Sequence, residues 1–234
     1  MYIYVYNIRE AFFSRPFRRD TKHTLYRIEE EKLGEYIESG FNFCESVEQF
    51  ITVAKFTPIR NLELHNIAEL DFRKIIRIAS RHLLGLDVIS EISDFRILSE
   101  CEKLVKIDVS TSAKTVYLPD ISKLSNLKEV EFSLETKEIK NTEAFVSETL
   151  AEFKIDAAYR PGFAVVDAKI ADFSFLLNLP NLKKLTLMLT SKENPYDDLV
   201  VLSKLTELTD TNYVVKLMSG ERRVRQSAFR TLYK

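Results

Sequence analysis

From Ile59 to Leu208 the apolar residues of this chain first step by three and then by two, as in Leu104-x-x-Ile107-x-Val109. A step of two is the period of a strand with one buried face. The pattern runs through Ile59-Leu62-Leu64, Leu83-Leu86-Val88, Leu104-Ile107-Val109, Leu127-Val130-Phe132, Leu150-Phe153-Ile155, Leu182-Leu185-Leu187 and Leu205-Leu208. Its middle residues are 62, 86, 107, 130, 153, 185 and 208, so by subtraction the intervals are 24, 21, 23, 23, 32 and 23 residues. Two units also match outside the strand. Asp94 to Val109 laid on Asp172 to Leu187 superposes Phe95 on Phe173, Leu98 on Leu176, Cys101 on Leu179 and Leu104 on Leu182. Near-constant spacing over seven units argues for true repeats over the chance Leu pairs of an ordinary doubly wound α/β domain.

The segments between strands predict crossovers of mixed type. Helical patterns cover 45–54, 68–82 with Leu70, Ile75, Ile78 and Ala79 on one face, and 142–150 with Thr142 as N-cap. Residues 118–125 suit a single turn or 3₁₀ segment. The 32-residue interval requires a protruding loop, placed around 159–162. A stack of strands exposes apolar rungs at both ends unless they are covered. Residues 1–45 therefore read as an N-terminal cap, with strand-like runs at 2–8 and 24–29 and a helix-compatible run at 30–39. Residues 46–212 form the repeats, and 213–234 a C-terminal cap with a last strand at 213–218 and a basic tail.

Composition narrows the function classes. The 234 residues are 45% hydrophobic, enough for one continuous core, and 5 Gly with 6 Pro leave no long flexible linker. Lys plus Arg (34) nearly cancels Asp plus Glu (35), so no whole-protein field attracts nucleic acid or an anionic membrane. The first residues lack the features of a secretory signal, and no run approaches the roughly 18 apolar residues of a membrane span, so a cytoplasmic location is expected. Cys44 and Cys101 fit no metal or redox motif and are read as reduced, with Cys101 in the core because it stands where Leu179 stands. His23, His65 and His82 show no HExxH spacing and read as solvated or cap residues. The five glycines are too dispersed for a phosphate loop, and GxSxG does not occur. No cofactor, no metal and no catalytic set are expected.

The LxxLxL core of each unit resembles the leucine-rich-repeat family, whose repeats span roughly 20 to 29 residues. Five of the six intervals fall within that range. The chain departs from the family where an Asn or Cys usually serves the turn, since that place holds Ile67, Glu91, Ser112, Glu135, Ala158 or Thr190. The resemblance implies an α/β solenoid with a parallel sheet on one face and helices or turns on the other. It also implies a non-catalytic module that binds a protein through the sheet face, in the manner of a bacterial cytoplasmic immunity or adaptor protein.

Residues between the alternating apolar positions face outward on such a sheet: Glu63, Asp87, Asp108, Glu131, Lys154, Thr186 and Thr209. The four consecutive acids form a negative stripe suited to a protein partner with a basic surface. The same stripe also serves simply to solubilise the sheet. If it binds, His65, Ser110, Ser133 and Asp156 would add hydrogen bonds, and Ile89 and Met188 apolar contacts. Two alternatives remain open. One is nucleic-acid binding through Arg222, Arg223, Arg225, Arg230 and Lys234, or through Arg15, Arg18 and Arg19. The other is an enzyme with a dispersed site. Oligomeric state is left open.

Overall fold

A strand with one apolar face is stable only when that face is covered and its backbone groups are paired. The computed structural model describes residues 2–6, 43–44, 46–55, 57–134, 138–156, 174–190, 204–217 and 220–225. Among them are β1 (Tyr2–Tyr6), β2 (Phe43–Cys44), β3 (Asn61–His65), β4 (Gly85–Ile89), β5 (Lys106–Thr111), β6 (Thr115–Tyr117), β7 (Glu129–Leu134), β8 (Glu138–Lys140), β9 (Glu152–Asp156), β10 (Lys184–Thr190), β11 (Asp210–Leu217) and β12 (Gly220–Arg225). Ten of these form one sheet in the order β12-β11-β10-β9-β7-β5-β4-β3-β1-β2. Every neighbouring pair is parallel except β11 with β12. The fold is thus α/β, with a mostly parallel sheet and few helices.

The register aligns two apolar rows across six strands. Leu62, Leu86, Ile107, Val130, Phe153 and Leu185 are successive partners, and so are Leu64, Val88, Val109, Phe132, Ile155 and Leu187. All twelve are buried. The seventh unit differs from the sequence expectation. Thr211, not Leu208, pairs with Leu185, and Leu208 lies ahead of the strand in the position of Leu182. Backbone bonds show the equivalence, since Leu208 N donates to Leu205 O as Leu182 N donates to Leu179 O and Leu127 N to Leu124 O. Thr209 accordingly precedes β11, and Asn212 takes the register place beside Thr186. In the neighbouring unit leucines three apart stand at two offsets, Leu179-Leu182 and Leu182-Leu185, and the pattern alone does not say which offset opens the strand.

The crossovers cover one side. Helix α1 (Val47–Ala54) begins at Ser46, whose side chain accepts from Gln49 N at 3.3 Å, and it buries Val47, Phe50 and Val53. Helix α2 (Glu69–Ala79) buries Phe72, Ile75, Ile76 and Ala79, while Leu70 is 82% exposed and Ile78 half-exposed. Of the expected face, Ile75 and Ala79 are buried, while Leu70 and Ile78 are not. Phe72, a far larger apolar surface, turns the helix so that the i, i+3, i+4, i+7 stripe from residue 72 faces inward. Residues 142–150 form no α-helix either. Thr142–Ala144 is a 3₁₀ turn entered from Asn141 at φ 65°, where Asn141 Nδ2 donates to Leu118 O at 2.8 Å. Residues 118–125 hold only turns, and Arg96–Glu100 and Ser174–Asn178 are 3₁₀ segments. β6 and β8 pair as a small parallel sheet of their own.

One buried charge ties the crossovers together. Asp94 accepts from Arg73 Nη2 at 2.6 Å, Arg96 Nη2 at 2.7 Å, Arg96 Nε at 2.9 Å and Arg96 N at 3.0 Å. These bonds, led by that from the Arg96 side chain, hold the Asp94 carboxyl below the usual carboxylate range. Beside it, Ser93 Oγ donates to Glu69 Oε2 at 2.6 Å, joining the segment to α2.

The ends depart from the cap expectation in two ways. β1 lies between β2 and β3, so the first strand is inside the sheet and the two-residue β2 forms that edge. At the other end Arg222, Arg223 and Arg225 belong to β12, an antiparallel edge strand, where a basic tail was expected. The strand and helix expected at 24–29 and 30–39, the loop at 159–162, and Arg15, Arg18, Arg19, His23, Arg230 and Lys234 lie outside the described residues.

Ile107→Ala should cost about 2 to 5 kcal/mol in urea denaturation, because rows locked on both sides close poorly around a cavity. Cys44 and Cys101 are both buried free thiols, and burial pushes each up to about 12. In the native chain a thiol reagent should label either one only at the rate of unfolding, as a stopped-flow comparison with denatured protein would show.

Candidate interaction face

The register that aligns the core also aligns what stands on the other side of the sheet. Glu63, Asp87, Asp108, Glu131, Lys154 and Thr186 are successive partners on β3, β4, β5, β7, β9 and β10. The next outward row runs His65, Ile89, Ser110, Ser133, Asp156 and Met188. Neighbouring parallel strands lie about 4.8 Å apart, so each row is a ladder of closely spaced side chains. All ten residues singled out in the sequence thus fall on two adjacent rows.

Their environments are not alike. Ile89 is 39% exposed, and Ser110, Ser133 and Asp156 are half-buried. His65 is buried, contrary to the expectation of a solvated residue, because β1 docks beside β3 and moves it away from the sheet edge. Its Nε2 lies 2.7 Å from Glu63 Oε1. Glu131 is also paired, by the ammonium of Lys154 on the adjoining strand. The two acids at the ends of the stripe therefore each hold a partner, and Glu131 is not freely solvated as the sequence suggested. The two in the middle differ. Among the described residues, Asp87 and Asp108 have neither a hydrogen bond nor an ion pair.

Burial and like charge act together on this central pair. Asp108 is pushed up to about 6, first by burial and then by the carboxylates of Glu131 and Asp87, against the pull of Lys106 and Lys154. Asp87 is raised as well, first by burial and then by Glu63. The outer row one step earlier on the strands behaves differently. There Lys106 Nζ pairs with Glu129 at 3.1 Å and Lys184 Nζ with Glu152 at 3.0 Å. Gly85 leaves that row without a side chain on β4, and a Cβ placed there would stand 2.6 Å from Asn61 Oδ1, the movable end of a side chain.

Sequence reasoning missed the part of the sheet contributed by β1. Tyr2, Tyr4 and Tyr6 hold register places beside Asn61, Glu63 and His65, which extends the rows by one strand. The alternation Tyr-Ile-Tyr-Val-Tyr carried that signal, with Ile3 and Val5 in line with Leu62 and Leu64.

Among the described residues no group of three or more His, Cys, Asp or Glu is arranged to hold a metal ion, and no helix is long and apolar enough to cross a membrane. Comparison with protein-family models and with curated proteins finds no match for this chain.

Lys154→Met removes a cation that lowers the Asp108 midpoint. The Asp108 carboxyl should then titrate further above about 6, which carboxyl-carbon NMR would follow directly.

Proposed function

We propose that this chain is an irregular leucine-rich-repeat-like solenoid that binds a protein partner through the outward face of its parallel sheet, without catalysis. The partner presents a basic surface to the row Glu63, Asp87, Asp108 and Glu131. His65 orients Glu63, and the adjoining positions Ile89, Ser110, Ser133, Asp156 and Met188 widen the contact. The repeat reading rests on the aligned rows and on their spacing of 24, 21, 23 and 23 residues from Leu62 to Phe153. The same setting suits an immunity or adaptor protein, whose task is to hold another protein.

The observation that carries the reading is the contrast between two outward rows. One sets Lys106 beside Glu129 and Glu152 beside Lys184 and joins each couple in an ion pair, as solubility and stability require. The other places four acids side by side and leaves the middle two without a counter-ion among the described residues. Like charges in register oppose folding, so a surface shaped for solubility alone would not concentrate them at its centre. Locally unfavourable placements cluster where a binding surface needs them. Residues on rigid strands also lose little freedom when they engage a partner.

Asp87→Asn/Asp108→Asn removes the charge of the central pair without breaking an ion pair. In affinity capture from native lysate, a protein held by the wild type should be lost with this variant. Measured against that protein, the variant should associate several-fold more slowly and with weaker salt dependence. Retention of the protein by this variant, with loss on neutralising Arg222, Arg223 and Arg225, would transfer the site to β12. Capture of nucleic acid by the arginines would favour the nucleic-acid alternative.

A further inference from the structure

We infer that Asp87 and Asp108 act as a proton-uptake pair, so that the sheet face loses one negative charge at its centre as the medium turns from neutral to mildly acidic. The geometry supplies the reason. The two are direct register partners on β4 and β5, both are half-buried, and neither has a hydrogen bond or ion pair among the described residues. Two carboxylates one strand spacing apart repel more strongly the less water separates them, and one proton relieves both the repulsion and the burial of charge.

The acids around the pair add to this, while His65, Lys106 and Lys154 pull the other way. Toward Asp87, β3 presents Glu63 and its partner His65, and β5 presents Lys106. Toward Asp108, β7 presents Glu131, β9 presents Lys154, and Lys106 stands on its own strand. The two lysines are engaged elsewhere, Lys106 with Glu129 and Lys154 with Glu131. The carboxylates of Glu63 and Glu131 flank the pair on either side along the row. No cation is dedicated to the centre among the described residues.

The consequence for stability has a definite sign. A carboxyl raised in the folded chain binds its proton more tightly there than in the unfolded chain, where it titrates near about 3.9. Above the folded midpoint, about 6 for Asp108, the pair destabilises the fold. As pH falls below that midpoint the penalty shrinks, and stability rises until the unfolded carboxyls also protonate near about 3.9. Asp94 works in the opposite sense and lower on the scale, since its depressed carboxyl contributes stability that is lost only below the ordinary carboxylate range. On the reading that the face binds a basic protein, which is a separate proposal, the ionised pair is the binding form and mild acid releases the partner.

The test uses the full chain without any partner. Carboxyl-carbon NMR titration should place Asp108 near about 6 and Asp87 above the ordinary aspartate range. Asp87→Asn should then lower the Asp108 midpoint, because Asp108 loses a charged neighbour. Thermal unfolding should show a rise in melting temperature between pH 7 and pH 5 that either variant reduces. Midpoints near about 3.9 for both residues, or an Asp108 midpoint unmoved by Asp87→Asn, would overturn the pair. These results do not depend on a partner. A confirmed pair with no pH-dependent capture would leave the pair in place and count against the binding proposal alone.

Discussion

Register is the constraint on which the rest of this structure depends. Each of β3, β4, β5, β7, β9 and β10 presents two apolar residues to the core, and none can bury them without its neighbours on both sides. A relay of backbone bonds fixes how the units meet just ahead of the strands. Leu84 N donates to Arg60 O, Val105 N to Leu84 O, Lys128 N to Val105 O, Ala151 N to Lys128 O, Lys183 N to Ala151 O and Thr209 N to Lys183 O. A slip of one residue at any of these junctions would turn a whole apolar row toward solvent. The burial of the aliphatic rows and the bonding of the backbone thus enforce the same alignment.

That alignment extends to the charges. Residues that would be far apart in a less regular fold are brought within one strand spacing, so the sign of each outward residue matters to its neighbours. The row from Lys106 to Lys184 settles into ion pairs across strands. Among the described residues, the row from Glu63 to Glu131 has partners at its two ends, His65 beside Glu63 and Lys154 beside Glu131, and no hydrogen bond or ion pair at Asp87 and Asp108. Both the stripe and its unneutralised centre therefore follow from one register, and the proposed binding surface and proton pair are two consequences of it.

The turns between the strands are closed in part by hydroxyl side chains. Ser90 Oγ accepts from Ile67 N at 2.9 Å. Thr111 Oγ1 donates to Ile92 O at 2.8 Å and accepts from Ala113 N at 3.2 Å, while Thr149 Oγ1 donates to Leu127 O at 3.0 Å. Asn66 and Asn141 take the left-handed conformation that asparagine tolerates better than most residues. Buried backbone groups must be bonded, but no single residue type has to do it.

The sequence by itself determined the strands β3, β4, β5, β7, β9 and β10, their two core rows, the outward places of the four acids and the burial of Cys101. These follow from a local rule, because side chains alternate along any extended segment whatever lies beside it. Tertiary structure alone decided the features that depend on competition between distant surfaces. Phe72 outweighed Leu70 in choosing the face of α2, and β1 entered between β2 and β3 and buried His65. The opening of β11 at Asp210 was settled by pairing with β10, since both leucine offsets fit the pattern equally well. The contacts of Glu63 with His65 and of Glu131 with Lys154 were likewise invisible in the sequence. Whether a side chain finds a counter-ion depends on which strand docks beside its own and how deeply the pair is buried, and neither is encoded in the spacing of residues along one strand.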